Sequence, residues 1–165
     1  MPTRHDVVVD LLAPRPDDSV VEVGCGYGVA ATLVVARLTT GTYIGVDRSA
    51  AMIDVATARN REAVESGRAS FVAAELEAAD VGPCDRLFAA RVRALATPQG
   101  LAVARGWLRP GGIVVLAIDA PAAARARAAA HDAALAVIAA GFSDVVQHER
   151  AYDGGALLAV TAVRS

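Results

Sequence analysis

The sequence predicts an α/β domain in which a seven-stranded sheet is covered by helices on both faces. Three observations predict it. Apolar runs of four to eight residues alternate with longer helical stretches, the rhythm of buried strands between covering helices. One such run, Val20 to Val23, leads directly into a glycine-rich loop and then a helix. The last two runs are joined by Tyr152-Asp153-Gly154-Gly155, a hairpin connection and not a helix.

The elements follow in order. His5 to Leu12 reads as a short helix with Val8, Leu11 and Leu12 on one side, ended by Pro14 and Pro16. Asp17, Asp18 and Ser19 form a turn into the first strand, Val20 to Val23. After the glycine loop, Val29 to Leu38 is a helix apolar nearly all round, and therefore mostly buried. Thr42 to Val46 is the second strand, Ser49 to Glu65 one continuous helix, and Ala69 to Ala73 the third strand. Arg86 to Ala90 is the fourth strand, and Gly100 to Trp107 the helix after it. Leu108-Arg109-Pro110-Gly111-Gly112 is a turn before the β-branched fifth strand, Ile113 to Ile118. Pro121 opens an alanine-rich helix to about Ala140, with Gly141 at the position of a left-handed cap. On that helix His131, Leu135, Ile138 and Phe142 form a stripe expected to face inward. Asp144 to Glu149 and Leu157 to Val163 complete the sheet.

Length and composition bound the function. At 165 residues the chain is a single domain with room for a real core. Hydrophobic residues at 55% and charged residues at 21% exclude a disordered chain. Much of the apolar fraction is alanine, and no apolar run reaches the length of a membrane span. The N-terminal segment lacks a signal-peptide cleavage pattern, so the expected location is cytoplasmic. Cys25 and Cys84 have no metal-type spacing, and reduced thiols with no metal are expected. A net charge of -2 disfavours nucleic acid as a partner.

The loop Glu22-Val23-Gly24-Cys25-Gly26-Tyr27-Gly28 places three glycines at alternate positions between a strand and a helix. Glycine allows the positive torsions and the close approach needed where a ligand lies against the main chain at a helix N-terminus. Asp47 lies about twenty residues further on, closing the second strand, where a carboxylate can accept both hydroxyls of a ribose. A dinucleotide fingerprint needs Gly or Ala at position 29 to admit a pyrophosphate, and that residue is Val29. Glu22, two residues before the first glycine, would repel a pyrophosphate and suits a ligand bearing an ammonium or sulfonium group.

With these features the chain resembles the class I S-adenosylmethionine-dependent methyltransferases over essentially its whole length, LRPGG before strand five included. The resemblance implies a Rossmann-like doubly wound sheet in the order 3-2-1-4-5-7-6, the last strand antiparallel. It implies S-adenosylmethionine as cofactor, with Gly24, Cys25, Gly26, Tyr27 and Gly28 against the methionine part and Glu22 supporting the loop. Asp47 takes the ribose, and Arg48 and Met52 pack on the adenine. Ala74, Glu75 and Leu76 match the segment that bonds the adenine amino group, although Glu75 replaces the commoner Asp. Ala90 and Arg91 fall where the family approaches the methionine moiety.

Methyl transfer from a sulfonium is an in-line displacement, so holding the nucleophile about 3 Å from the methyl carbon supplies most of the acceleration. An oxygen nucleophile also needs a base. Asp119, just after strand five, is the best-placed carboxylate, and it equally suits a helix cap. His131, His148, His5 and Tyr152 are weaker candidates, while Arg91 and Arg93 can hold a carboxylate or phosphate on an acceptor. No Asn-Pro-Pro-Tyr or Asp-Pro-Pro-Tyr follows the fourth strand, which argues against amino methylation of a DNA base, and a small-molecule acceptor is expected. No sequence is left for a separate cap domain, so the acceptor site closes with the N-terminal helix within residues 1–16, with a second copy of the chain, or not at all. The other reading is a non-catalytic module that binds the cofactor or a partner protein on a methyltransferase fold.

Overall fold

The computed structural model describes residues 1–90, 93–118 and 123–165. Arg91, Asp119 and the Pro121 start of the sixth helix lie outside them. The strands are β1 (Ser19–Val23), β2 (Thr42–Asp47), β3 (Ala69–Ala73), β4 (Cys84–Ala90), β5 (Leu108–Ile118), β6 (Phe142–Tyr152) and β7 (Gly155–Arg164). They form one sheet in the order β3-β2-β1-β4-β5-β7-β6. β1 to β5 run parallel, while β7 is antiparallel to both β5 and β6. This is the seven-stranded α/β methyltransferase fold that the resemblance implies.

The helices are α1 (Arg4–Leu12), α2 (Val29–Val35), α3 (Ala50–Arg59), α4 (Arg61–Glu65), α5 (Pro98–Trp107) and α6 (Ala123–Ala139). One apolar layer joins α1 and α2 to one face of the sheet through Val8, Leu12, Val34, Tyr43 and Phe88. The other joins α5 and α6 to the opposite face through Leu87, Leu101, Val114 and Val137. Among the described residues no helix is long and apolar enough to cross a membrane.

Four expectations need correction. The single helix over 49–65 is two helices, because Asn60 leaves helical torsions (φ −107°, ψ 28°) and turns its side chain into the core. The helix expected to reach Leu38 ends at Val35, where Arg37 and Leu38 donate to Val34 and Val35 in tighter three-residue turns. The stripe of His131, Leu135 and Ile138 faces outward. Leu135 and Ile138 are 53% and 55% exposed, and α6 buries Ala126, Ala130, Ala133, Ala134 and Val137 instead. The small alanines let α6 lie close on β6 and β7, so volume and not hydrophobicity alone selects the inward face. Finally, Leu108 already pairs with Cys84 in β5, and the ladder resumes only at Ile113 with Arg86. The LRPGG turn is thus a bulge inside the strand, with Gly111 at φ +78°.

The N-terminal end of α1 is tied by Thr3, whose hydroxyl accepts from the Asp6 N–H while Asp6 accepts from the Thr3 N–H. The Asp153 N–H donates to Pro2 O at 2.9 Å, so the β6–β7 turn holds the N-terminal segment near the carboxyl ends of the parallel strands. At the opposite edge Arg86 and Asp18 form a buried ion pair. Arg86 Nη1 also donates to Leu12 O at 2.7 Å, and Asp18 accepts from the Arg15 N–H at 2.7 Å.

Candidate cofactor cleft

β1 ends at Val23, and the chain turns through Gly24, Gly26 and Gly28 at φ +74°, +51° and +72°. A side chain at such torsions is strained, which is why glycine alternates here. The N–H groups of Gly24 and Cys25 both donate to Val46 O, at 2.7 and 3.0 Å, folding the loop onto the end of β2. Gly28 then begins α2 and donates to Cys25 O at 3.0 Å.

Asp47, the last residue of β2, is held from two sides. Its Oδ2 accepts from Gly26 N–H at 2.9 Å and its Oδ1 from Ser49 N–H at 2.9 Å. The carboxylate is thereby fixed in direction, half-buried, with acceptor capacity left for a ligand. Ala74 N–H donates to Asp47 O at 3.0 Å, which brings the end of β3 alongside.

These ends enclose a cleft of about 540 Å³. Gly24, Asp47, Arg48, Ala74, Glu75, Leu76 and Ala90 line it, together with Val23, Val46, Arg93 and Ala94. Seven residues expected from sequence thus meet in one place at the carboxyl ends of β1 to β4, where open α/β sheets take their ligands. Two acids, Asp47 and Glu75, and two arginines, Arg48 and Arg93, are among the lining residues. Its apolar floor and few polar groups suit a ligand of mixed character. A Cβ at Gly26 would meet nothing within 4 Å, so the loop leaves open space where a ligand can lie on the backbone.

Other expected residues lie elsewhere. Tyr27 is 52% exposed on the loop, and Met52 is half-buried in the first turn of α3. Gly28 is buried against α3, where a Cβ would stand 2.7 Å from Asn60 Nδ2 and 2.9 Å from Ala56 Cβ. Cys25 is buried, and burial, then Glu22 and Asp47, push its thiol up to about 12, keeping it protonated. Glu22 is buried and does not line the cleft; its Oε2 accepts a hydrogen bond from the Tyr43 hydroxyl. Burial raises its carboxyl to about 8, against the lowering effect of that hydrogen bond. Its partner is thus Tyr43 of β2, and burial favours the protonated form.

Sequence reasoning missed two supporting residues. Asn60 Nδ2 donates to Gly28 O and Ala56 O, each at 3.0 Å, while its Oδ1 accepts from the Thr32 hydroxyl at 2.9 Å. It pins the glycine loop to α3. The signal was an Asn inside a helical run, a residue that favours helix ends. Tyr43 reads as an ordinary apolar strand residue, and nothing local announces its bond to Glu22. Among the described residues no group of three or more His, Cys, Asp or Glu is placed to hold a metal.

Residues 20–112 match the sequence model of the family described as "Methyltransferase domain". The chain is 35% identical over 116 residues to an uncharacterized 37.1 kDa protein in transposon Tn4556 of Streptomyces fradiae. That match takes in 67% of this chain and 32% of the relative, so the chain spans about a third of the relative's length. Among solved structures, the magnesium protoporphyrin IX methyltransferase of Synechocystis with bound S-adenosylhomocysteine superposes with a TM-score of 0.76 at 17% identity, over 98% of this chain and 82% of that one. The (4+2) cyclase SpnF superposes with a TM-score of 0.75 at 15% identity, over 98% and 80%. At these identities the superpositions show a shared fold. With the profile spanning more than half of the sequence, from β1 through the glycine loop, Asp47 and the Glu75 segment to the bulge of β5, the chain belongs to the methyltransferase-domain family.

Proposed function

We propose that the cleft binds S-adenosylmethionine and that the protein transfers its methyl group to a small-molecule acceptor. One observation carries this reading: the glycine loop and a carboxylate fixed by that loop's own Gly26 N–H open onto the same cleft. When bound, S-adenosylmethionine supplies an electrophilic methyl group on a sulfonium. Asp47 holds the ribose hydroxyls, Glu75 and Leu76 border the adenine, and Gly24 and Ala90 leave the backbone open beside the methionine part. Arg48 and Arg93 are the cations available to carboxylates of the cofactor or the acceptor. Positioning is the chain's main catalytic task, since the displacement requires no protein nucleophile.

A second reading, binding without turnover, is favoured by one feature. Among the described residues lining the cleft only Asp47 and Glu75 can accept a proton, and both serve the cofactor. Asp119 remains the candidate base in the first reading.

Calorimetric titration with S-adenosylhomocysteine tests the shared premise. The unaltered protein is expected to bind it in preference to NAD. Asp47→Ala is expected to weaken it by about tenfold or more, the loss of hydrogen bonds to a charged acceptor. Equal affinity of the two proteins would sink the reading.

A further inference from the structure

A second groove, of about 530 Å³, runs between α5 and α6. It shares no lining residue with the cofactor cleft. α5 ends where β5 begins, α6 ends just before β6 begins, and Arg164 at the end of β7 pairs with Phe142 at the start of β6. Its walls are Pro98, Ala102 and Gly106 on α5, Ala136 on α6 and Ala140 just past its end, with Arg105 and Arg164 beside them. Among the described residues no acid lines it.

The two arginines are unlike the others nearby. Arg109 pairs with Asp85 at 2.9 Å, and Arg127 with Glu149 at 3.1 Å. Arg105 and Arg164 each keep a buried Nε–H with no hydrogen-bond acceptor among the described residues. Arg164 spends one Nη1 on Leu108 O. Arg105 lies over Gly141, where a Cβ would stand in ordinary van der Waals contact, 3.6 Å from its Nε. Both arginines line the groove and no carboxylate lines it with them among the described residues, so their positive charge is unbalanced there.

We propose that this groove is a binding site for a small molecule carrying a carboxylate on an apolar body. A guanidinium presents parallel N–H donors that fit a planar carboxylate, and the alanine walls offer apolar contact to the rest. Neither feature depends on what the cofactor cleft holds.

Titration of the full chain with benzoate, octanoate and benzamide, followed by amide NMR shifts and by fluorescence of the single tryptophan, Trp107, on the helix carrying Arg105, tests the site. Benzoate and octanoate are expected to shift the amides of Gly106, Ala140 and Gly141, while benzamide leaves them in place. Arg105→Met is expected to weaken benzoate by about tenfold, the loss of one charge-assisted contact. Arg105→Gln is the second variant, keeping hydrogen-bonding capacity without charge, and is expected to lose benzoate equally. The proposal is overturned if benzamide shifts the same amides as strongly, if both folded variants bind benzoate as the unaltered chain does, or if benzoate shifts only residues of the cofactor cleft.

Discussion

Glu22 shows how a residue's position in the fold changes its chemistry. In sequence it is an acid placed to face a cation; in the fold it is buried and accepts a hydrogen bond from the Tyr43 hydroxyl. Burial raises its carboxyl from the ordinary 4.5 to about 8, so between those values the folded chain keeps a proton that the unfolded chain has released. The contribution to stability is then fully present below the lower value and is lost as pH rises through the upper one, with a slope of at most about 1.4 kcal/mol per pH unit. Thermal unfolding between about pH 5 and pH 8 should show a falling Tm in the unaltered protein. In Glu22→Gln, which still accepts from Tyr43, that fall should be flatter. Identical slopes for the two proteins would mean that Glu22 carries no such proton. The position of Asp47, by contrast, was legible from sequence, because it depends only on closing the strand next to the loop. Its hydrogen bonds from Gly26 and Ser49 refine that reading without moving it.

The loop between β1 and α2 shows the same division. Three glycines after a strand identify it from sequence alone, yet they serve different ends. Gly26 and Gly28 both have positive φ and would each incur about 1–2 kcal/mol of backbone strain with a side chain. A Cβ at Gly26 enters open space, whereas one at Gly28 collides with Asn60 and Ala56. Gly28→Ala should therefore lower stability well beyond Gly26→Ala in denaturant unfolding, and comparable losses would contradict the packing described for α2 and α3. The division of the helix at Asn60 was not legible because it depends on partners in the loop and in α2, distant in sequence. The outward stripe of α6 was missed for a related reason. Periodicity identifies two candidate faces on an alanine-rich helix, and the closeness of β6 and β7 decides between them.

At the scale of the whole molecule the sheet order was legible through the family resemblance and the terminal hairpin, whereas the ion pair that ties its lower edge was not. Arg86 and Asp18 are 68 residues apart, and with Leu12 O and Arg15 N–H they join α1, the turn before β1 and β4. Removing one partner leaves a buried charge uncompensated, so Arg86→Met should cost about 3–5 kcal/mol in chemical unfolding. A loss under about 1 kcal/mol would match an exposed pair and contradict the burial. That edge lies opposite the cofactor cleft, so in protein that remains folded the affinity for S-adenosylhomocysteine should be unchanged.

The central claim, that the carboxyl ends of β1 to β4 form an S-adenosylmethionine site, is tested most directly by a crystal structure grown with S-adenosylhomocysteine. The ligand is expected across Gly24, with its ribose hydroxyls on Asp47 and its adenine beside Glu75 and Leu76. Ligand bound at saturation in any other place, or a cleft still empty at saturating concentration, would contradict it.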